Sequence, residues 1–204
     1  MSRLFLARHG ETIWHAENRY AGRTDIALTD KGKQQAIRLA QWAAEADIRA
    51  VWSSPLSRAV ETATPVADAL GFSLQIDDRL LELDFGRGEG LTASEMGAVM
   101  PEALAAFRAD PVHHHFPGGE DPAVAAQRGL TALRSIAAAA PPDGAILVVA
   151  HSTLLRLILC QALGIPLSRY RHVFPIFHNC TVTEVEIKDS VTSLLSFNAP
   201  LPLS

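Results

Sequence analysis

Ala145-Ile146-Leu147-Val148-Val149-Ala150-His151 is the stretch whose reading decides the fold. Its six apolar residues leave no polar face. Such a run suits a central strand of a parallel sheet, covered by helices on both sides. It ends in a histidine. A second apolar run, Arg3-Leu4-Phe5-Leu6-Ala7, is followed by Arg8-His9-Gly10. In open α/β sheets ligands bind beyond the carboxyl ends of the strands. Parallel neighbouring strands would therefore bring His9 and His151 to one edge.

The flanking sequence alternates strand and helix. Thr29 or Asp30 caps a helix reaching about residue 46, with Ala36, Leu39, Ala40 and Ala43 on one face. Residues 50–53 read as a strand. Ser54-Pro55 reads as an N-cap with proline at the first helical position, giving a helix over about 55–70. The least regular region, about 86–119, contains Gly88, Gly90, Gly97, Pro101, Pro111, Pro117 and Gly118, with short helices fitting at 92–100 and 102–108. An alanine-rich helix over about 121–140 turns Ala123, Ala126, Leu130, Leu133 and Ala137 inward. Residues 153–163 resume as a helix, and 180–187 and 191–197 are strand-like around a turn at Asp189-Ser190. No internal repeat interrupts the pattern. The sum is a three-layer α/β/α sandwich with a mostly parallel central sheet. Residues 1–204 read as one domain, with 86–119 as a cap-like insertion.

Composition narrows the classes of function. Of 204 residues, 48% are apolar and 20% charged, as in ordinary globular proteins. The formal charge is −4 and the lysines are Lys31, Lys33 and Lys188 alone, so no basic face for nucleic acid is expected. Cys160 and Cys180 form no metal-like pair and read as reduced core residues. The apolar run before Arg8 is short for a signal peptide. The longest apolar stretch, 154–165, is broken by Arg156 and Gln161 and cannot span a bilayer. The expectation is a cytoplasmic protein with neither membrane nor nucleic acid as partner. Its final strands offer an edge for a homodimer.

The residues at the sheet edge suggest a chemistry. The strand over 50–53 delivers Ser53, Ser54 and, one helical turn on, Arg58 to the same edge as His9 and His151. A phosphate monoester carries a charge of about −1.5 to −2 near neutral pH. Arginine offers donors in a fork that fits its oxygens. A helix starting at Ser54-Pro55 would add free amides and a positive dipole end. Gly10 would leave room for close approach. A histidine attacks phosphorus only as neutral imidazole, and the cations Arg8 and Arg58 would hold His9 in that form.

The ordered blocks resemble the histidine phosphatase superfamily, in its phosphoglycerate mutase-like branch. They are Arg8-His9-Gly10-Glu11-Thr12; Trp14, Asn18 and Gly22-Arg23-Thr24-Asp25; Leu28-Thr29 and Gly32; and Ser53-Ser54-Pro55 with Arg58-Ala59 and Glu61-Thr62-Ala63. Leu81-Glu82 with Phe85-Gly86 and Gly90 follows, then Pro117-Gly118-Gly119-Glu120, His151 and Asn179. The resemblance covers essentially the whole chain and implies the roles. His9 accepts the phosphoryl group, and Arg8, Arg58 and His151 bind its oxygens. Glu82 protonates the leaving oxygen and then helps activate water. Gly10, Gly22 and Ser152 add phosphate contacts. His15 stands where the family usually has an asparagine that touches phosphate, and Ser152 where glycine is usual. The substrate is a small phosphate ester, and no cofactor or metal is implied.

Three functional readings follow. A phosphatase passes the phosphoryl group to water. A mutase returns it to a second hydroxyl, and the family's mutases carry a basic insertion after the acid. Here residues 83–150 contain no lysine, with Arg87, Arg108, Arg128 and Arg134 as their arginines, which favours the phosphatase. An inactive binding protein would have lost one of His9, Arg58, Glu82 or His151. The sparse positive charge also speaks against a second strongly acidic group on the substrate. His113-His114-His115 invites a metal reading, but consecutive residues cannot easily aim three rings at one ion, and a loop at the site entrance fits better. Leu91, Met96, Met100, Phe107 and Phe116 fit ordinary core or an apolar wall over the substrate.

Overall fold

The computed structural model describes residues 2–140 and 144–202. Six strands form one sheet: β1 (Ser2–Arg8), β2 (Ile48–Ser53), β3 (Gln75–Ile76), β4 (Ala145–Ala150), β5 (Val182–Lys188) and β6 (Val191–Ala199), in the order β3-β2-β4-β1-β5-β6. The first four run parallel, while β5 pairs antiparallel with β1 and β6 antiparallel with β5. The helices are α1 (Ile13–Glu17), α2 (Asp30–Glu45), α3 (Ser57–Leu70), α4 (Ala93–Val99), α5 (Pro101–Ala109), α6 (Pro122–Ala138), α7 (Ser152–Ala162) and α8 (Tyr170–Val173).

Side chains alternate across a strand, and the two central strands feed two cores accordingly. Phe5 and Ala7 of β1, with Ala145, Leu147 and Val149 of β4, meet Leu39, Ala40 and Ala43 of α2 and Ala59, Ala63 and Val66 of α3. Leu4 and Leu6, with Ile146, Val148 and Ala150, meet Leu130 and Leu133 of α6 and Leu154, Leu155 and Ile158 of α7. The three-layer sandwich is thus the expected one. In the β1–β4 register Arg8 stands opposite Ala150, so His9 and His151 leave the sheet side by side.

Two local expectations need correction. Helix α3 begins at Ser57, not Pro55, with Leu56 at the cap. The Ser57 amide donates to Asp25 Oδ1 (2.8 Å), so this helix end serves the protein's own carboxylate. In α6, Ala123 is exposed, and Ala125, Gly129, Ala132 and Ile136 join the buried face, which is wider than a single stripe. Of the two readings of the apolar residues over 86–119, core is the one found: Met96, Phe107 and Phe116, with Leu104, are buried in the α6–α7 core, the Phe107 and Phe116 rings stacked 4.1 Å apart. Among the described residues, no helix is long and apolar enough to cross a membrane. Both cysteines are free and buried.

Candidate active site

His9 lies where β1 leaves the sheet and is 5% exposed. Its Nδ1 is 2.7 Å from the Gly10 carbonyl oxygen. A carbonyl only accepts, so Nδ1 carries the proton and Nε2 keeps the lone pair. Burial, then the nearby His151, Arg58 and Arg8, hold the His9 pKa well below the ordinary imidazole value. The ring is therefore neutral and oriented, with its lone pair on Nε2. The Asn179 amide fixes the backbone behind it by donating to the His9 carbonyl (2.7 Å).

His151 caps α7 and is fully buried, its ring centroid 5.2 Å from that of His9. Burial and the cations Arg58, Arg8 and Arg128 hold it neutral as well. Its Nε2 meets the Ser54 hydroxyl at 2.7 Å. With that hydroxyl donating, the ring proton sits on Nδ1. This atom, Arg8 Nε and Arg58 Nε are all buried without a hydrogen-bond partner among the described residues. An unpaired buried donor costs about 1–3 kcal/mol. Three of them in the neighbourhood of His9 suit a ligand with several acceptor oxygens.

Arg58, with no exposed surface, donates to the carbonyls of Thr24 (2.8 Å) and Gly22 (2.6 Å). The Glu89 carboxylate clamps that loop, accepting from the Arg23 amide (2.7 Å) and the Thr24 amide (2.9 Å). Gly22 therefore serves Arg58 and does not line the cavity. A Cβ there would stand 2.0 Å from Glu89 Oε1. Gly10 likewise makes room for protein, since its Cβ would lie 2.6 Å from the Gly32 carbonyl oxygen in α2. Neither glycine is where a phosphoryl group would need the space.

Arg8 donates to the Phe177 carbonyl (2.7 Å) and contacts His15 Nε2. That nitrogen faces a second donor, Asn179 Nδ2, at 3.4 Å. Across the ring, His15 Nδ1 accepts from the Thr12 amide (2.9 Å) and lies 2.9 Å from the Thr12 hydroxyl. Burial and Arg8 lower the His15 pKa to about 4. His15 thus lines the cavity as a neutral ring held between the Thr12 backbone and Arg8.

Glu82 is 4% exposed and its carboxylate is seated on the start of α7. Oε1 accepts from the Leu83 and Leu154 amides (both 2.8 Å), and Oε2 from the Thr153 amide (3.0 Å). So the α7 amides orient the Glu82 carboxylate, a use the sequence did not reveal. The Glu82 main chain is held in turn: its carbonyl, and those of Arg79 and Leu81, accept from Arg128, which also grips Glu120.

Arg8, His9, His15 and Glu82, with Ser152 and Thr153, line one end of a cavity of about 590 Å³, whereas Arg58 and His151 are fully buried and are not among its lining residues. Its other walls come from Trp14, Asn18, Arg19, Tyr20 and Ala21, and from Arg156, Arg171 and Pro175, with Phe85 and Ala93 between. Of the residues over 86–119, Ala93 alone lines it, and His113-His114-His115 do not; His113 instead pairs with Asp110 (2.7 Å). This segment therefore contributes little to the cavity lining. It supports the wall from behind, with Tyr20 packed edge-on against Phe85, Phe107 and Phe116. The premise of sparse positive charge also fails, because Arg8, Arg19, Arg156 and Arg171 gather at this one cavity. Two other cavities, near Trp42 and Leu201, contain none of the histidines.

A phosphate-handling enzyme is the class this fold and site define. Residues 4–200 match the sequence profile of the histidine phosphatase superfamily, branch 1. The chain is 33% identical to a probable phosphoglycerate mutase of Erwinia tasmaniensis, over 93% of this chain and 87% of that one. It is 32% identical to phosphoserine phosphatase 1 of Hydrogenobacter thermophilus, over 83% of this chain and 80% of that one. Among solved structures, Bacillus stearothermophilus YhfR superposes with a TM-score of 0.91 at 30% identity, covering 98% of each chain. A mycobacterial glucosyl-3-phosphoglycerate phosphatase in complex with VO3 gives 0.88 at 27%, covering 98% of this chain and 100% of that one. The chain belongs to the histidine phosphatase superfamily, and it is an enzyme of phosphoric monoester hydrolysis.

Proposed function

We propose that the protein hydrolyses a small phosphomonoester through a phosphohistidine at His9, with water as the final acceptor. The observation that carries this reading is the His9–Gly10 hydrogen bond, which leaves Nε2 unprotonated among cationic donors. Nε2 attacks phosphorus as the bond to the ester oxygen breaks, and Glu82 delivers a proton to the departing alcohol. Arg8, Arg58 and His151 take up the charge gathering on the non-bridging oxygens. Glu82, now a carboxylate, accepts a proton from the water that attacks the phosphohistidine. Inorganic phosphate leaves and Nε2 is regenerated. Ser152, exposed to the cavity, adds a hydroxyl contact. Gly10 and Gly22 act through the backbone they admit.

Water is favoured over a second hydroxyl because residues 83–150 supply no lysine and do not build a closed basic lid over the cavity. The free buried thiols fit the reducing cytoplasm. The test is phosphate release from p-nitrophenyl phosphate and a panel of phosphorylated metabolites, with wild type and His9→Ala. Turnover that His9→Ala abolishes is expected. Release that survives the substitution would remove His9 as nucleophile. Conversion of 3- to 2-phosphoglycerate faster than hydrolysis would make the enzyme a mutase.

A further inference from the structure

We propose that Gln35 is a positioning residue for His9: by holding the Glu11 amide it keeps the Gly10 carbonyl turned toward the ring, and so keeps the attacking lone pair on Nε2. The inference rests on the phosphatase reading for the use of that lone pair.

The two peptide groups that follow His9 are each gripped at both ends. In the first, the His9 carbonyl accepts from Asn179 Nδ2 (2.7 Å) and the Gly10 amide donates to the Thr62 hydroxyl (2.9 Å). Thr62 donates in turn to the Arg58 carbonyl (2.6 Å), which ties this peptide to the start of α3. In the second, the Gly10 carbonyl accepts from His9 Nδ1 (2.7 Å) and the Glu11 amide donates to Gln35 Oε1 (2.8 Å). A backbone amide only donates, so Gln35 presents its oxygen there. Gln35 belongs to α2, is half-buried, and lies outside the cavity that holds His9.

A trans peptide is planar, with its carbonyl and amide pointing in opposite directions. Fixing the Glu11 amide therefore fixes the Gly10 carbonyl. The other holds on Glu11 act further along the chain. Its carbonyl accepts from the Thr29 amide (2.9 Å) and its carboxylate from Lys31 Nζ (2.8 Å), and neither group belongs to the Gly10–Glu11 peptide. Glycine is also the most freely rotating joint in a chain, so a carbonyl on Gly10 needs an outside hold. If that carbonyl tilts away, nothing keeps the ring proton on Nδ1. The proton can then occupy Nε2, where it blocks attack on phosphorus.

Two variants separate the oxygen from the rest of the side chain. Gln35→Met keeps length and helix propensity but removes the acceptor, whereas Gln35→Glu keeps an acceptor. Single turnovers of p-nitrophenyl phosphate with enzyme in excess report phosphorylation of His9. Gln35→Met should slow that step about tenfold, the weight of one hydrogen bond, without weakening the binding of inorganic phosphate. Gln35→Glu should restore most of the rate. Long-range proton–nitrogen NMR reads the tautomer directly, the His9 signals being those lost in His9→Ala. Wild type should carry its proton on Nδ1, and Gln35→Met should move part of it to Nε2. A tautomer that Gln35→Met leaves unchanged overturns the proposal whatever the rate, and so does an unchanged rate. Phosphate binding that weakens in step with the rate overturns it as well, since Gln35 would then serve the whole pocket. If wild type hydrolyses no phosphomonoester, the phosphatase reading has failed separately. The spectra then decide alone: an unmoved proton rejects the hold by Gln35, and a shift to Nε2 supports it.

Discussion

Arg128 meets the Glu120 carboxylate side-on, Nε to Oε1 at 2.7 Å and Nη2 to Oε2 at 2.8 Å. The same guanidinium donates to the carbonyls of Arg79, Leu81 and Glu82, so one fork fixes the segment that carries the proposed acid. Lysine cannot reproduce this planar fork. Arg128→Lys is therefore expected to lower kcat by about 100-fold, the order of loss from a small misplacement of a reacting group. The loss should be largest for esters with poor leaving groups, which need the proton most. Equal losses for p-nitrophenyl phosphate and an alkyl phosphate would place Arg128 outside acid positioning.

Regiochemistry tests the tautomer. Because Gly10 occupies Nδ1, phosphorylation should appear on Nε2 of His9. Acid-quenched protein examined by phosphorus NMR or peptide mass spectrometry distinguishes the two isomers. A stable Nδ1 adduct would show that the ring turns over during the reaction.

Two neutral, buried imidazoles make stability depend on pH. The folded-state pKa values of His9 and His151 lie well below about 6.5, their unfolded value. Below that pH the unfolded chain binds protons that the folded chain refuses, so stability present above pH 6.5 is lost as pH falls. The slope is up to about 1.4 kcal/mol per pH unit for each group. Thermal melts between pH 8 and pH 5 should show Tm falling on the acid side, and His151→Asn should flatten the curve. A Tm that is level down to pH 5 would contradict the neutral assignment.

The loop that holds Arg58 gives a separate test. A methyl group at Gly22 meets both Glu89 Oε1 at 2.0 Å and the Leu83 carbonyl oxygen at 2.8 Å. Gly22→Ala should shift the two carbonyls away from Arg58 and raise KM by about tenfold, through loss of one phosphate anchor. Glu89→Ala releases the same loop from the other side and should move KM in the same direction. Unchanged KM in both variants would mean that Arg58 holds its position without the loop.

His15 separates contact with phosphate from support of Arg8. As a neutral polar group beside Arg8, it should be replaceable by asparagine, whose carbonyl can accept from the guanidinium. His15→Asn is expected to keep kcat/KM within about threefold of wild type, whereas His15→Leu, leaving Arg8 with the Phe177 carbonyl alone, should lose about tenfold or more. An asparagine variant as poor as the leucine variant would give His15 a role of its own.

The sheet and its two histidines were legible because six apolar residues before His151 admit few alternatives, and because strand ends are fixed by hydrogen-bond register. Glu82 was legible only through its motif. Nothing in its spacing says that its oxygens rest on the amides of Leu83, Thr153 and Leu154. Arg156 and Arg171 were unreadable for a similar reason. Each sits in a short helix whose local pattern is ordinary, and only tertiary packing brings them beside Arg8. Gly10 and Gly22 were recognised for the wrong cause. A motif glycine records close approach, but it does not say whether the neighbour is a ligand or, as here, the backbone of Gly32 and the side chain of Glu89.

The burial of Met96, Leu104, Phe107 and Phe116 bears on how molecules enter and leave. Swinging their segment open would expose four large side chains to water, at about 1.5–3 kcal/mol each. Such an excursion belongs with global unfolding, on the slow timescale of protected amide exchange. Traffic through the cavity must instead pass along the Trp14–Ala21 rim and beside Pro175. The His15–Arg8 contact is where this rim meets β1. Away from that contact, specificity can diverge residue by residue, while the phosphate end is inherited intact.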